Sequence, residues 1–132
     1  MNKRKLILAI DFDGTITNGE WPFNPTLKEN AKECINYLHD ILNCEIIIWT
    51  CRCNGNGYNS LNDAINFLKL NDIHYDFINE NGSIMEHWDT DSRKIFADFY
   101  IDDRNFPFQD VNWKEIITFI EMYKLKFKNC FF

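Results

Sequence analysis

The sequence contains no apolar stretch that approaches the length of a membrane-spanning helix. Its apolar run at residues 6–10 follows a short basic segment, but the run is too brief for the hydrophobic region of a signal peptide. The chain also lacks linkers, internal repeats and low-complexity segments. These absences predict one globular domain, residues 1–132, that lies in the cytoplasm and has no membrane partner.

The chain likewise lacks an excess of positive charge. Its 14 Lys and Arg residues face 20 Asp and Glu residues, which gives a formal net charge of −6 at pH 7. Broad electrostatic binding of duplex nucleic acid needs the opposite balance, so the composition argues against that class of protein. A phosphorylated substrate stays compatible, because a bound metal ion and a few cations dominate the local field.

The sequence also has few cysteine and histidine residues at the spacing of metal ligands. The five cysteines are odd in number, and Cys34 and Cys44 lie in apolar segments, which predicts buried free thiols in a reducing compartment. Cys51 and Cys53 form half of a zinc-site pattern, but no second Cys or His pair at ligand spacing accompanies them. The chain has three histidines, which are His39, His74 and His87. No ligand spacing relates them, and we expect them to be structural or solvent-facing.

What the chain does contain is an alternation of apolar strand segments and amphipathic segments. Strands are predicted at residues 6–10, 45–50, 74–78 and 99–101. Helices are predicted over residues 26–42, from Ser60 onward and from Asn112 onward. The order β-α-β-α-β-β-α predicts an α/β fold with a Rossmann-like, doubly wound and mainly parallel sheet.

Each predicted helix has a capping signal, in which a hydroxyl or amide residue is followed three positions later by an acid. These pairs are Thr26 with Glu29, Ser60 with Asp63, and Asn112 with Glu115. Residues 54–57 and 79–91 are predicted to be loops. The tail at residues 123–128 alternates apolar residues with lysine, which is typical of either a fraying helix or a short edge strand.

Polar side chains follow three of the predicted strands. Asp11 and Asp13 come after the first strand, Thr50 ends the second, and Asp102 and Asp103 follow the fourth. Because the carboxyl ends of parallel strands share one edge of a sheet, we expect these groups to converge there. Four converging carboxylates repel one another unless a cation intervenes, and Mg²⁺ suits oxygen ligands. The pattern therefore predicts a Mg²⁺ site.

The same pattern predicts phosphoryl chemistry. Thr50 and the Lys94 ammonium are suited to hold phosphate oxygens. An ionised carboxylate beside a metal ion attacks phosphorus and forms an aspartyl-phosphate, while a second carboxylate protonates the leaving group and activates water. Taken singly, Asp13-Gly14 is a turn signal and Arg52 a surface ion-pair residue. The order of these residues along the chain favours a site instead.

These residues resemble the four motifs of the haloacid-dehalogenase-like phosphohydrolase superfamily. Residues 11–17, DFDGTIT, are similar to its first motif, Thr50 to its second and Lys94 to its third. Residues 101–103, IDD, are similar to its fourth. The resemblance extends from residue 6 to about residue 105, and the four motifs occur in the order that the superfamily has.

The resemblance implies a role for each matching residue. Asp11 is the nucleophile and a Mg²⁺ ligand, and Asp13 is the general acid/base whose backbone carbonyl also contacts Mg²⁺. Asp102 is a direct metal ligand, and Asp103 either binds the metal through water or orients Lys94. The residues implied to bind the phosphorylated substrate are Gly14, Thr50, Cys51, Arg52, Lys94 and Arg104. Of these, Thr50 and Lys94 hold the phosphoryl group and belong to the catalytic set.

The implied activity is Mg²⁺-dependent hydrolysis of a phosphate monoester by a small enzyme without a large cap domain. Asp13 favours this activity, because superfamily members with other chemistries often replace that acid. Capless members act on macromolecules or borrow a neighbouring subunit as a lid. The implied partners are therefore a phosphorylated small molecule or nucleic-acid end, with a homo-oligomer as one way to complete the open site. Candidate rim residues are Trp21, Phe23, Trp88 and residues 54–57.

A second resemblance and two alternative functions stay open. Residues 50–52 and 102–104 are also similar, over a short span, to the 3′-phosphatase domain of phage-type polynucleotide kinases. One alternative function is a phosphate- or metal-binding module without turnover. Another is a receiver-like signalling domain, which has adjacent acids after its first strand and a phosphorylated Asp on its third. The spaced Asp11 and Asp13, and a third strand that ends at Asn79, disfavour the receiver-like domain.

Overall fold

The computed structural model describes residues 2–19, 25–88 and 91–132. Its strands are β1 (Ile7–Ile10), β2 (Glu45–Ile48), β3 (Asn54–Gly55), β4 (Tyr58–Asn59), β5 (Phe77–Ile78) and β6 (Phe99–Ile101). Its helices are α1 (Ala31–Asp40), α2 (Ser60–Leu70) and α3 (Trp113–Lys126), with a 3₁₀ helix at Ser83–His87. Along the chain, α1 lies between β1 and β2, and α2 lies between β4 and β5.

Four parallel strands form the main sheet, in the order β5-β2-β1-β6. β1 pairs with β2 through Ile7 opposite Glu45 and with β6 through Leu8 opposite Phe99. Every residue of β1 and β2 is buried, which explains their nearly continuous apolar sequences. The parallel sheet, and the lack of a large cap in the described residues, confirm the predicted α/β fold class.

The two faces of the sheet are covered differently. Leu8 and Ile10 of β1 point to a core that includes Ile35 of α1, Leu68 of α2 and Trp113 of α3. The alternate β1 residues, Ile7 and Ala9, pack on the other face with Ile95 and Ala97. Irregular chain and the 3₁₀ helix therefore cover the second face, while all three α-helices pack on the first.

The position of β1 between β2 and β6 creates the crevice that a ligand needs. The chain leaves β1 toward β2 and later crosses back to form β6 on the opposite side. Such a reversal of strand order opens a crevice at the carboxyl ends of the strands around it. Residues 11–14 and residues 102–104 follow β1 and β6 directly, so they lie at this crevice.

The first predicted helix begins later than its capping signal indicated. Thr26 and Glu29 do not cap a helix, because α1 begins at Ala31 after Asn30, whose φ is 65°. Leu27 instead forms an antiparallel bridge with Thr17, and the Lys28 amide donates to the Ile16 carbonyl oxygen at 2.8 Å. Pairing with the loop after β1 thus outweighs the local helix signal.

The other two capping signals had different outcomes. Asn112 is confirmed as a cap, since its Oδ1 accepts from the amides of Lys114 and Glu115. Ser60 does not cap α2, because it is the first helical residue. Its hydroxyl instead donates to the carbonyl oxygen of Cys53 at 2.7 Å and accepts from the Cys53 amide.

Several predicted boundaries also shift. The third strand of the main sheet covers only Phe77–Ile78, and the predicted loop at residues 54–57 contains part of the β3–β4 hairpin. The predicted loop at residues 79–91 contains the 3₁₀ helix. In the tail, α3 continues to Lys126, and strand-like pairing is limited to a bridge between Phe131 and Arg4.

No helix in the described parts of the chain is long and apolar enough to cross a membrane. The five cysteines are free, and Cys34 and Cys44 are buried as predicted. Burial raises the pKa of the Cys44 thiol to about 11, which makes it unreactive at neutral pH.

Candidate active site

Three carboxylates from two strand ends form an acidic trio, Asp11, Asp102 and Asp103. One carboxylate oxygen from each lies within 4.8 Å of the others. The Asp11 amide donates to the carbonyl oxygen of Ile101 at 2.9 Å, which extends the β1–β6 pairing into the site. The sheet therefore brings together acids that lie about 90 positions apart in the sequence.

The acidic trio is suited to hold a cation. Asp103 Oδ1 is buried and has no hydrogen-bond partner among the described residues. A buried carboxylate oxygen without a partner costs free energy unless a cation or a donor reaches it. Oxygen-only ligands from three carboxylates fit Mg²⁺, which also keeps waters and a substrate phosphate among its ligands. The residues present therefore fit the predicted Mg²⁺ ion.

The electrostatics of Asp11 support the same conclusion. Burial first, and then the negative charges of Asp102 and Asp103, raise the pKa of the Asp11 carboxyl to about 7. A carboxyl group in this position retains its proton to near neutral pH unless a cation offsets the neighbouring charges. A bound divalent cation would return Asp11 to the ionised form that a nucleophile needs.

We predict that the stability of the metal-free protein falls as the pH rises. The pKa of Asp11 is about 7 in the folded protein against 3.8 ordinarily, so between these values the folded state keeps a proton that the unfolded state has lost. The contribution of Asp11 to the free energy of unfolding is complete below about pH 4 and is lost as the pH approaches 7. Thermal unfolding with EDTA should show a melting temperature several degrees lower at about pH 7.5 than at about pH 5.

Mg²⁺ and Asp11→Asn provide the controls for this pH dependence. Mg²⁺ should raise the melting temperature at high pH much more than at low pH. The variant should show a weaker fall with pH, because it removes the shifted group. An equally steep fall in Asp11→Asn would mean that another group causes the pH dependence.

Thr15 positions two members of the acidic trio, although the sequence did not single it out. The buried Thr15 hydroxyl donates to Asp11 Oδ2 at 3.3 Å and accepts from the Asp103 amide at 3.1 Å. The Thr15 carbonyl oxygen accepts from the indole N–H of the buried Trp113 at 2.9 Å. The loop after β1 is thus fixed to the first residue of α3.

Gly14 allows Asp103 to approach this loop. Its φ is +82°, and a Cβ atom built on it would overlap Asp103 Oδ2 and lie 2.7 Å from the Asp103 carboxyl carbon. Any side chain here would both strain the backbone and displace a member of the acidic trio. The substrate contact of Gly14 stays a prediction, and in the structure Gly14 makes room for Asp103.

Asp13 and Arg52 form a bidentate ion pair. Arg52 Nε donates to Asp13 Oδ2 and Nη2 donates to Asp13 Oδ1, both at 2.8 Å. The Arg52 guanidinium is buried, lies 5.0 Å from the Phe12 ring centroid and also donates to the Ser60 carbonyl oxygen. Arg52 therefore fixes the orientation of the Asp13 carboxylate. Its guanidinium is buried, unlike that of the surface ion-pair residue that Arg52 resembles when taken alone.

We predict that Arg52→Lys lowers both stability and turnover. Lysine keeps the charge but cannot make two parallel bonds to one carboxylate, so the free energy of unfolding should fall by about 2 kcal/mol. Any phosphatase activity should fall more than stability explains, because Asp13 loses its fixed orientation. Urea denaturation and steady-state kinetics measure the two effects. Arg93→Lys, at an exposed position outside the cavity, is the matched control and should change neither.

Thr50 and its neighbours line the cavity beside the acidic trio. The Thr50 amide donates to the side-chain oxygen of Asn79 at 2.9 Å, and the Thr50 hydroxyl accepts from the Arg52 amide at 3.1 Å. Asn79, which directly follows β5, was not predicted to belong to the site. The cavity of about 520 Å³ is lined by Asp11, Asp13, Thr50, Cys51, Arg52, Cys53, Tyr58, Ser60, Asp102 and Arg104.

Three of the predicted site residues do not line this cavity, namely Lys94, Gly14 and Asp103. Lys94 is exposed, and its Nζ lies 5.0 Å from the centroid of the Tyr100 ring. Gly14 and Asp103 line a second cavity of about 370 Å³, together with Lys28. The role of Lys94 in holding phosphate stays a prediction.

Of the three aromatic residues predicted for the rim of the site, the structure describes Trp88. Trp21 and Phe23 lie outside the described residues. Trp88 packs edge-on against Phe96, with ring centroids 5.2 Å apart. Tyr58, at the start of β4, is the aromatic residue that lines the cavity among those described. The predicted rim loop at residues 54–57 therefore contributes to the cavity through the β3–β4 hairpin, which places Tyr58 in the lining.

Fold and site together define a small α/β protein with an acidic cluster at the carboxyl edge of its parallel sheet. A solved structure, described as that of a conserved protein coded by a locus from Bacteroides thetaiotaomicron, is similar to it. The two chains are 29% identical, the alignment covers 92% of this chain and 93% of that one, and the TM-score is 0.76. No protein-family model matches the chain, and no curated protein matches it significantly.

Proposed function

We propose that the protein is a Mg²⁺-dependent phosphatase that hydrolyses a phosphate monoester through an aspartyl-phosphate on Asp11. The observation that carries this proposal is the acidic trio with its unpartnered buried oxygen on Asp103, beside a cavity that also contains Thr50. An oxygen-only site of this kind suits a hard divalent cation, and a cavity open to solvent admits a substrate phosphate. The resemblance to the haloacid-dehalogenase-like phosphohydrolases supports the same function.

Each residue then has a defined task. Asp11, Asp102 and Asp103 would hold Mg²⁺, which when bound offsets the charge of the phosphoryl oxygens. The Asp11 carboxylate forms a bond to phosphorus as the bond to the ester oxygen breaks, and a proton passes to the leaving group. Water then attacks phosphorus, which breaks the Asp11–phosphorus bond and releases inorganic phosphate. Thr50 holds phosphoryl oxygens during both steps, and Lys94 joins it when its ammonium leaves the Tyr100 ring.

Asp13 is the proposed proton-transfer group. Arg52 holds its carboxylate through two contacts, and that carboxylate accepts a proton from water in the second step. Donation to the leaving group in the first step requires a protonated Asp13, so one contact with Arg52 must open when the substrate binds. Arg52 is therefore a positioning residue for Asp13 in this proposal.

The cavity is compatible with more than one class of phosphorylated substrate. Tyr58 is 66% exposed at the cavity, where its ring offers a stacking surface, and the exposed Arg104 adds a cation. A phosphorylated small molecule or a nucleic-acid end fits such a site, and a second copy of the chain is the proposed lid. The free thiols agree with the cytoplasm as the proposed location.

Hydrolysis of an aryl phosphate tests the proposal. Activity should require Mg²⁺ and fall by more than roughly 100-fold with EDTA. A panel that includes nucleotides and 3′-phosphorylated oligonucleotides should then identify the substrate class. If Mg²⁺ and phosphate bind but no member of the panel is hydrolysed, the chain is a binding module and the enzyme proposal is wrong.

A further inference from the structure

A second cluster of ligand-type side chains lies away from the active site. His39 and Asp40 are in the last turn of α1, and His74 lies between α2 and β5. One ligand atom from each of the three residues lies within 4.8 Å of the other two. Because these segments lead into β2 and β5, the cluster is at the amino edge of the sheet, opposite the acidic trio.

The hydrogen bonding of the two imidazoles is incomplete when both rings are neutral. Asp40 contacts Nδ1 of His39 at 2.7 Å and Nδ1 of His74 at 2.8 Å. On the far side of each ring, His39 Nε2 faces Asp76 at 2.9 Å and His74 Nε2 faces Asp72 at 3.3 Å. Ionised carboxylates only accept, and each neutral imidazole has one N–H. Four nitrogen–carboxylate contacts therefore share two hydrogens.

We propose that this cluster is a Zn²⁺ site in which Nδ1 of His39, Nδ1 of His74 and a carboxylate oxygen of Asp40 bind the metal. One cation between these atoms serves both Nδ1 contacts, and the two N–H groups are then free to donate from Nε2 to Asp76 and Asp72. A ligating imidazole that donates its other N–H to a carboxylate is the usual arrangement around protein-bound zinc. Imidazole nitrogen favours Zn²⁺ over Mg²⁺.

The surroundings of the cluster hold its residues in place without the metal. Asn36 accepts from the His74 amide at 2.8 Å and donates to the Asp72 carbonyl oxygen at 2.8 Å. Asp76 Oδ2 accepts from the Ile46 amide at 2.8 Å. The side chains of His39 and His74 are 25% and 37% exposed, so solvent and metal ions reach them. Bound Zn²⁺ would fasten α1 to the connection between α2 and β5.

Calorimetric titration with Zn²⁺ tests this proposal. The protein should carry Cys51→Ser and Cys53→Ser, so that the exposed thiols do not compete, and excess Mg²⁺ should occupy the acidic trio. We expect one Zn²⁺ per chain. His39→Gln and His74→Gln should each weaken binding by more than about tenfold. His87→Gln is the matched control, because His87 is the third histidine and is exposed outside the cluster.

Two further measurements separate metal binding from a structural role of the histidines. Asp72→Asn removes an outer carboxylate at a position with φ of 53°, which asparagine adopts readily, so it should weaken Zn²⁺ binding by about tenfold without lowering the apo melting temperature. NMR of the imidazole nitrogens should show Zn²⁺ on Nδ1 of both rings. Equal affinity in the His39 and His74 variants, or no Zn²⁺ binding to the protein that carries Cys51→Ser and Cys53→Ser, would overturn the proposal.

Discussion

Asp11→Asn should abolish phosphatase activity while making the metal-free protein more stable at neutral pH. The amide cannot form the bond to phosphorus, so kcat should fall by roughly 10³-fold or more. The same change removes one of three crowded negative charges. In the wild type, burial of Asp11 and then repulsion by Asp102 and Asp103 raise the pKa of the Asp11 carboxyl to about 7. Loss of activity together with a higher apo melting temperature would show that misfolding is not the cause.

Asp63→Asn is the matched control for Asp11→Asn. It makes the same chemical change at an exposed position in the first turn of α2, and it should alter neither kcat nor the effect of Mg²⁺. Acid-quenched wild-type protein should also yield a borohydride-reducible acyl phosphate at residue 11, detected by mass spectrometry. Full activity in Asp11→Asn would refute its role as nucleophile, and an active enzyme without the acyl phosphate would favour direct attack by water.

The central strands could be predicted because their signals are local. The apolar residues 6–10 followed by an acid, and residues 99–101 followed by two acids, each read as a buried strand end, and parallel pairing then required that the acids meet. The start of α1 could not be predicted in the same way. The capping signal at Thr26 is local too, but pairing of residue 27 with residue 17 outweighs it.

The pairings between side chains could not be predicted, because no short-range pattern reports them. Arg52 reaches Asp13 across 39 positions of the chain, and a lone arginine after a strand has the same sequence signal whether it is buried or exposed. His39 and His74 are 35 positions apart in the numbering, so a search for ligand spacing misses them. Their proximity depends on how α1 returns to the amino edge of the sheet.

Gly14→Ala should inactivate the site, whereas Gly57→Ala should not. The two glycines have nearly the same φ, +82° and +83°. Alanine in this left-handed region costs about 1 kcal/mol of stability at either position. Nothing lies within 4 Å of a Cβ atom on Gly57, but a Cβ atom on Gly14 would overlap the Asp103 carboxylate. The difference between the two variants therefore isolates the contact with Asp103.

The effect of that contact should appear in metal binding and in turnover. Overpacking against Asp103 should lower the free energy of unfolding of Gly14→Ala by a further 1–3 kcal/mol or so, and displacement of one metal ligand should reduce kcat/KM by about 100-fold. Denaturation, Mg²⁺ calorimetry and kinetics measure these three quantities. Adding Asp103→Ala to Gly14→Ala should recover part of the stability but none of the activity, because it removes the overlap and the ligand together. Equal losses in the Gly14 and Gly57 variants would mean that backbone strain alone, and not the position of Asp103, makes glycine necessary at residue 14.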